Sequence, residues 1–112
     1  MDDRFDGRAT IAASGSLSDA VIIESGRVVN VAVPTWTDSA AITFQAQAPG
    51  GGSWFDVYDE LGVEVQIPAS THNRIYSVPA LAGMYAVKVR SGTAGAAVNQ
   101  TNAETITVFG VR

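Results

Sequence analysis

At 112 residues the chain has the length of a single domain, because each half of it would be too small to bury a stable core of its own. Its 46% apolar and 16% charged residues predict a folded chain and exclude disorder driven by charge repulsion. The net charge of −4 and the seven scattered Lys and Arg residues argue against nucleic-acid binding, which requires clustered cations.

The first residues, Met-Asp-Asp-Arg-Phe-Asp-Gly, are charged where a signal peptide would begin with basic residues and continue with an apolar run. We expect residues 1–8 to form a flexible arm ahead of one domain that covers residues 9–112. No apolar run approaches the roughly 20 residues that span a bilayer, so no membrane partner is expected.

Short segments rich in Val, Ile, Thr and aromatic residues alternate with turns of Gly, Pro, Asn, Asp and Ser, a pattern typical of an all-β domain. No segment carries apolar residues at helical spacing over a useful length. Eight to nine short strands are predicted, at residues 8–13, 20–23, 27–33, 41–47, 54–58, 63–67, 74–78, 84–91 and 104–111. We expect an antiparallel β-sandwich, with jelly-roll and immunoglobulin-like topologies both open.

Period-two alternation predicts which side chains point into the core. The inward sets are Val29, Val31 and Val33; Ile42, Phe44 and Ala46; and Tyr85, Val87 and Val89. A shift of one residue would turn each set outward, so the pattern also fixes the register.

A hairpin is predicted between the strands at 54–58 and 63–67, because Gly62 can take the positive φ that closes a four-residue loop. If Phe55 and Val57 point inward, so should Val63, Val65 and Ile67. Trp54, Asp56 and Tyr58 then lie on the outer face. Two large aromatic side chains would then be exposed.

Candidate catalytic and metal-binding residues are few. His72, the only histidine, falls in a polar turn, where we expect it to be solvated rather than part of a triad or a metal site. Asp56, Asp59 and Glu60 match no calcium loop, and residues 50–52 lack the lysine of a phosphate loop. We therefore predict no catalytic residue, no metal and no cofactor, and a role other than catalysis.

A charged fraction below the roughly one quarter of an ordinary soluble domain indicates a surface reserved for a partner. Trp36, Trp54, Tyr58 and Tyr76 could fill the core, anchor a protein interface or stack on sugar rings. The candidate interface residues are Arg4, Phe5, Arg8, Trp36, Trp54 and Tyr58.

Several motifs occur in a familiar succession: Val-Pro-Thr-Trp-Thr at 33–37, Ile-Thr-Phe-Gln-Ala at 42–46, and Gly-Ser-Trp-Phe-Asp-Val-Tyr-Asp-Glu-Leu-Gly-Val at 52–63. With the ending at 89–111, they make residues 9–111 resemble small virion proteins of tailed bacteriophages and prophages. The resemblance implies no catalytic residues.

A member of that group would be a capsid decoration, cement or head-fibre protein. The resemblance therefore implies contact with the major capsid protein, a homo-oligomer such as a dimer or trimer, and a place on the capsid surface after assembly in the host cytoplasm. The alternative is a receptor- or glycan-binding module of a tail or fibre.

Overall fold

Segments rich in β-branched residues form strands here because Val, Ile and Thr pack well on a pleated, half-buried surface. The computed structural model describes residues 3–69 and 72–112. Its strands are β1 (Arg4–Ile11), β2 (Val21–Ile22), β3 (Val28–Val33), β4 (Ile42–Gln47), β5 (Phe55–Asp56), β6 (Arg74–Ser77), β7 (Ala86–Thr93), β8 (Ala96–Ala97) and β9 (Glu104–Val111). Within the described ranges the helical content is one 3₁₀ turn, Pro79–Leu81, and no helix there could cross a membrane.

Two antiparallel sheets form the domain, with strand orders β1-β9-β3-β6 and β2-β7-β4-β5, and β8 pairs with β7. Setting β8 aside, the first strand pairs with the last, β2 with β7, β3 with β6, and β4 with β5. This nested pairing of eight strands over two sheets is a jelly roll, one of the two topologies that the sequence left open.

The core lies between the sheets and confirms the predicted alternation except at Tyr85, which is half-buried and lies outside the apolar cluster. Val31, Ile42, Phe44, Val87 and Val89 are fully buried and belong to a single apolar cluster. Both sheets contribute to that cluster, as a sandwich requires.

The prediction of a flexible arm at residues 1–8 is wrong for its described part. Residues 4–11 pair with β9 along their whole length, from Arg4 opposite Val111 to Ile11 opposite Glu104. The Phe5 ring is only 6% exposed because Gly26 and Gly110 leave room for it; a Cβ on either would come within 2.7 and 3.2 Å of the ring. Met1 and Asp2 lie outside the described residues.

The predicted hairpin turn is confirmed, with Gly62 at φ 79° and the Asp59 amide donating to the Val63 carbonyl at 2.8 Å. Phe55 lies opposite the buried Ala46, on the core-facing side of the sheet as predicted, but it does not join the core, because its side chain is 64% exposed. Val63 is 56% exposed and does not join the core either. β5 is an edge strand that pairs with β4 over two residues only, so its margin has no neighbour that could cover Phe55. The segment 63–67 forms single bridges rather than a strand.

Candidate docking surfaces

The outer face of the four-stranded sheet is apolar at its centre. Three rows cross it in register: Arg4–Val111–Val28, Asp6–Phe109–Asn30–Ser77, and Arg8–Thr107–Ala32–Ile75. The outward positions of the two central strands, β3 and β9, carry no charged side chain. We call this surface, formed by those eleven residues and the adjoining Arg74, the sheet face.

Large apolar groups of the sheet face lie in contact with solvent. Val28 is 49% exposed and Ile75 is 66% exposed, while Phe109 and Val111 are half-buried. Contiguous exposed apolar surface on a soluble domain is typical of an interaction site.

Two open grooves meet at Thr107 on the sheet face. One, of about 580 Å³, is lined by Ala32, Arg74 and Ile75 among others, and the other, of about 430 Å³, is lined by Arg4 and Phe109 among others. Such wide, shallow grooves suit a protein surface better than a small ligand, which binds in concave and largely enclosed sites.

Arginines border the sheet face. Arg4 and Arg8 project from β1, and Arg74 lies on β6 at the opposite edge, against the single carboxylate of Asp6. Arg8 pairs with Asp6 at 3.1 Å, but both side chains are more than half exposed. An exposed pair of this kind contributes little to stability, so Arg8 can leave Asp6 for a carboxylate of a binding partner at a small cost in free energy.

The second apolar surface is the hairpin that follows β5. We call residues 55–63 the hairpin tip; its exposed large apolar side chains are Phe55, Tyr58, Leu61 and Val63. Leu61 is 84% exposed, beside the exposed carboxylates Asp59 and Glu60. Asp59 Oδ1 accepts the amides of Leu61 at 2.9 Å and Val63 at 3.0 Å, so the turn is held in one shape.

A buried arginine holds the hairpin against its sheet. Arg90, 7% exposed, donates to Asp56 Oδ1 at 2.8 Å, to Glu64 Oε2 at 3.4 Å and to Thr43 Oγ1 at 3.0 Å. Glu64 in turn accepts the Ala94 amide at 3.0 Å. The bond from Arg90 outweighs partial burial and lowers the pKa of Asp56.

A second polar cluster joins the loop before β4 to the loop before β9. Gln100 is fully buried; its side chain donates to the Asp38 carbonyl at 2.7 Å and to Ser91 Oγ at 2.9 Å. Hydrogen bonds from Thr101 lower the pKa of Asp38, and the Thr37 amide donates to the carboxylate of Glu104 at 2.7 Å. All these groups have partners in the fold, so their role is structural.

The prediction of a solvated His72 is wrong, because this residue is 3% exposed. Its Nε2 lies 3.2 Å from the Ala40 carbonyl, which can only accept, so Nε2 carries the hydrogen. Nδ1 is then the acceptor for the Tyr76 hydroxyl at 3.4 Å. The ring lies 5.3 Å from that of Trp36, and together these side chains close one end of the core.

The six predicted interface residues do not form one site. Arg4 and Arg8 lie on the sheet face and Tyr58 on the hairpin tip, whereas Phe5 and Trp36 are both 6% exposed and belong to the core. For these two residues the interface prediction is wrong. Trp36 Nε1 finds no hydrogen-bond partner among the described residues.

Trp54 is neither buried like Trp36 nor exposed like Tyr58. It is half-buried, and Lys88 Nζ lies 4.5 Å from the centre of its ring, in a cation–π contact. An open groove of about 220 Å³ at the hairpin tip is lined by Phe55, Tyr58 and Met84 among others.

Sequence reasoning missed Val28, Ile75, Phe109, Phe55, Leu61 and Val63. For Leu61 a signal was present, since a leucine inside a polar turn has no strand neighbours to cover it. For Ile75 the signal was absent, because only the strand order shows that β6 is an edge strand. In residues 3–69 and 72–112 no group of His, Asp and Glu side chains could hold a metal ion.

No family model and no curated protein matches the sequence. Among solved structures, the fold is similar to the SPBc2 prophage-derived protein YomS, with a TM-score of 0.58 and 16% identity over 100% of this chain and 97% of that chain. The Yersinia pseudotuberculosis-derived mitogen aligns with a TM-score of 0.42 and 11% identity, over 99% and 86% of the two chains. A protein of Bacillus endospore appendages, which form disulfide-linked pili, aligns with a TM-score of 0.39 and 15% identity, over 99% and 90%. At this identity the likeness to YomS shows a shared fold, and the two lower scores carry no argument.

Proposed function

We propose that this chain is a non-enzymatic structural protein of a phage particle, which decorates the outside of the head, contacts the major capsid protein and strengthens the contacts between capsid subunits. The observation that carries the proposal is the exposure of large apolar side chains at two separate places on one small domain, the sheet face and the hairpin tip. A protein with two such surfaces can hold two neighbours at once.

Three further observations support this function. The fold is similar to that of a prophage-derived protein along nearly the whole length of both chains. The grooves are open rather than enclosed, and the single histidine is buried and hydrogen-bonded on both ring nitrogens. Many identical copies on a shell would convert modest individual contacts into strong collective binding.

The experiment uses capsid shells of the phage that carries this gene, prepared without this protein. Purified chain is added, and binding is measured by sedimentation together with the temperature at which the shells open. We expect saturation at a fixed stoichiometry and a higher opening temperature. Shells that bind no protein and open at an unchanged temperature would overturn the proposal.

A second candidate function is glycan or receptor binding on a tail or fibre, favoured by the exposed Tyr58 and Phe55 rings that line one open groove. Aromatic rings next to polar groups such as Gln45 and Asp56 are a common platform for sugars. Binding to a glycan array that is lost in Tyr58→Ala, with the fold intact by circular dichroism, would favour this function over capsid decoration.

A further inference from the structure

We propose that the hairpin tip of one copy docks on the sheet face of a second copy, so that copies of this chain join head to tail. The inference deepens the proposed function, since it names the contact through which a homo-oligomer would form. It concerns the chain in solution and needs no capsid.

Charge selects this pairing over the pairing of like surfaces. The sheet face carries Arg4, Arg8 and Arg74 against one carboxylate. The hairpin tip carries the exposed carboxylates of Asp59 and Glu60 and no cation, while Asp56 at its base is paired with Arg90. Two sheet faces packed on each other would bring arginine borders together, and two hairpin tips would bring carboxylates together. Contact between a tip and a face instead matches opposite charges around apolar centres, which favours this pair and its rate of association.

The shapes of the two surfaces also favour contact between a tip and a face. The tip projects Leu61, 84% exposed, from a turn, and the sheet face offers two open grooves on either side of Thr107. The bonds of Asp59 to the Leu61 and Val63 amides fix the turn before binding, so little conformational entropy is lost on docking.

The base of the hairpin is also held in place before any partner arrives. Arg90 ties Asp56 and Glu64 to the sheet, and Glu64 joins the hairpin to the Ala94 amide. A rigid tip that presents an apolar side chain between carboxylates is the complement that an apolar face with an arginine border requires.

A contact between two different surfaces has a consequence for symmetry. Each copy offers one tip and one face, so every added copy leaves a new tip and a new face at the ends of the assembly. Such heterologous contacts close into a ring when the rotation between neighbours allows it and otherwise continue as a filament. The expected assembly in solution is therefore a ring or a filament of like-oriented copies, not a two-fold symmetric dimer.

The test uses two full-length variants, Leu61→Arg, which damages the tip, and Ile75→Glu, which damages the face. Both side chains are more than 60% exposed, so neither change disturbs the core. Sedimentation velocity over a concentration series should show an oligomer for the unchanged chain. Each variant alone should associate at least about tenfold more weakly, the effect of losing one central apolar contact.

Mixing the two variants is the decisive step. The first keeps an intact face and the second an intact tip, so an equimolar mixture should form a 1:1 heterodimer and nothing larger. Ile22→Glu is the matched control: Ile22 is 52% exposed on β2, outside both surfaces, and its variant should associate like the unchanged chain.

Three results would overturn the inference: an unchanged chain that is a monomer at all concentrations, a mixture that stays monomeric, or a Leu61→Arg or Ile75→Glu variant that self-associates as well as the unchanged chain. None of these involves capsids. If the chain binds capsids but does not self-associate in this way, the inference fails and the proposed function stands. If the chain forms the oligomer but does not bind capsid shells, the proposed function fails and the inference stands.

Discussion

Arg90 on β7 donates a hydrogen bond to Asp56 on β5 across 2.8 Å, and Thr43 of β4 lies between the two strands as a further acceptor for the same guanidinium. One side chain thus connects three strands of the sheet that carries the hairpin tip. The position of this apolar tip therefore depends on a buried ion pair at its base.

Replacing Arg90 by Ala should destabilise the domain by about 3 kcal/mol, because it leaves Asp56, Glu64 and Thr43 without their shared donor in a mostly buried site. Arg90→Lys should recover only part of the loss, since an ammonium cannot reach three acceptors in fixed geometry. Urea unfolding followed by tryptophan fluorescence measures both changes. A loss below about 0.5 kcal/mol for Arg90→Ala would show that the network does not hold the hairpin.

The Asp56 carboxyl should give the domain an acid-sensitive component of stability. Because the folded state lowers its pKa below the ordinary 3.8, this contribution is complete above about pH 3.8 and is lost as the pH falls through the lowered value. Asp56→Asn weakens a charged hydrogen bond from Arg90, and because the Asp56 side chain is 36% exposed, solvent screening reduces the expected cost to about 1 kcal/mol at neutral pH. The difference from the unchanged chain should shrink in acid.

Urea unfolding at pH 7 and at pH 3 measures this difference. The matched control is Asp6→Asn, which breaks the exposed pair with Arg8 and should change stability by less than about 0.5 kcal/mol. If Asp56→Asn and the unchanged chain lose equal stability on acidification, the carboxyl does not contribute as described.

His72→Ala should destabilise the domain by about 2 to 3 kcal/mol, because it removes a buried ring and leaves the Ala40 carbonyl without its donor. A solvated turn residue would cost less than about 0.5 kcal/mol. Thermal unfolding by calorimetry distinguishes the two. His72→Asn, which keeps a donor but not the ring, should fall between the unchanged chain and His72→Ala.

Gly110→Ala should be severely destabilising, because a Cβ at this position would lie 1.7 Å from the Val28 carbonyl oxygen, a backbone atom of the neighbouring strand. We expect a loss above about 3 kcal/mol, or a chain that does not fold. Gly95→Ala is the matched control, since nothing lies within 4 Å of its Cβ. Equal stability of the two variants would contradict the close approach of β3 and β9.

The sequence predicted the sandwich and the inward sets because burial on one side of a sheet imposes period two. It could not choose the jelly roll, since the pairing of β1 with β9 joins the two ends of the chain and leaves no local signal. Phe5 illustrates the same limit. Residues 4–8 are charged as a flexible arm would be, yet β1 pairs with β9, and Gly26 and Gly110 leave the space in which the Phe5 ring is buried.

The candidate site was predicted only in part for a related reason. Arg4, Arg8 and Tyr58 were identified from their chemistry and lie on the two surfaces, but Trp36 and His72 are buried against each other through contacts distant in sequence. Exposure of Ile75 depends on the place of β6 in the sheet. Composition gives the amount of apolar surface, whereas topology decides where it is exposed.

The most direct measurement is cryo-electron microscopy of intact phage particles released by the strain that carries this gene. Decoration predicts that density matching this eight-stranded jelly roll covers the outer surface of the head, in a fixed number of copies for each capsid subunit. Mature particles in which the chain is absent, or in which it occupies only the tail, would contradict decoration of the head.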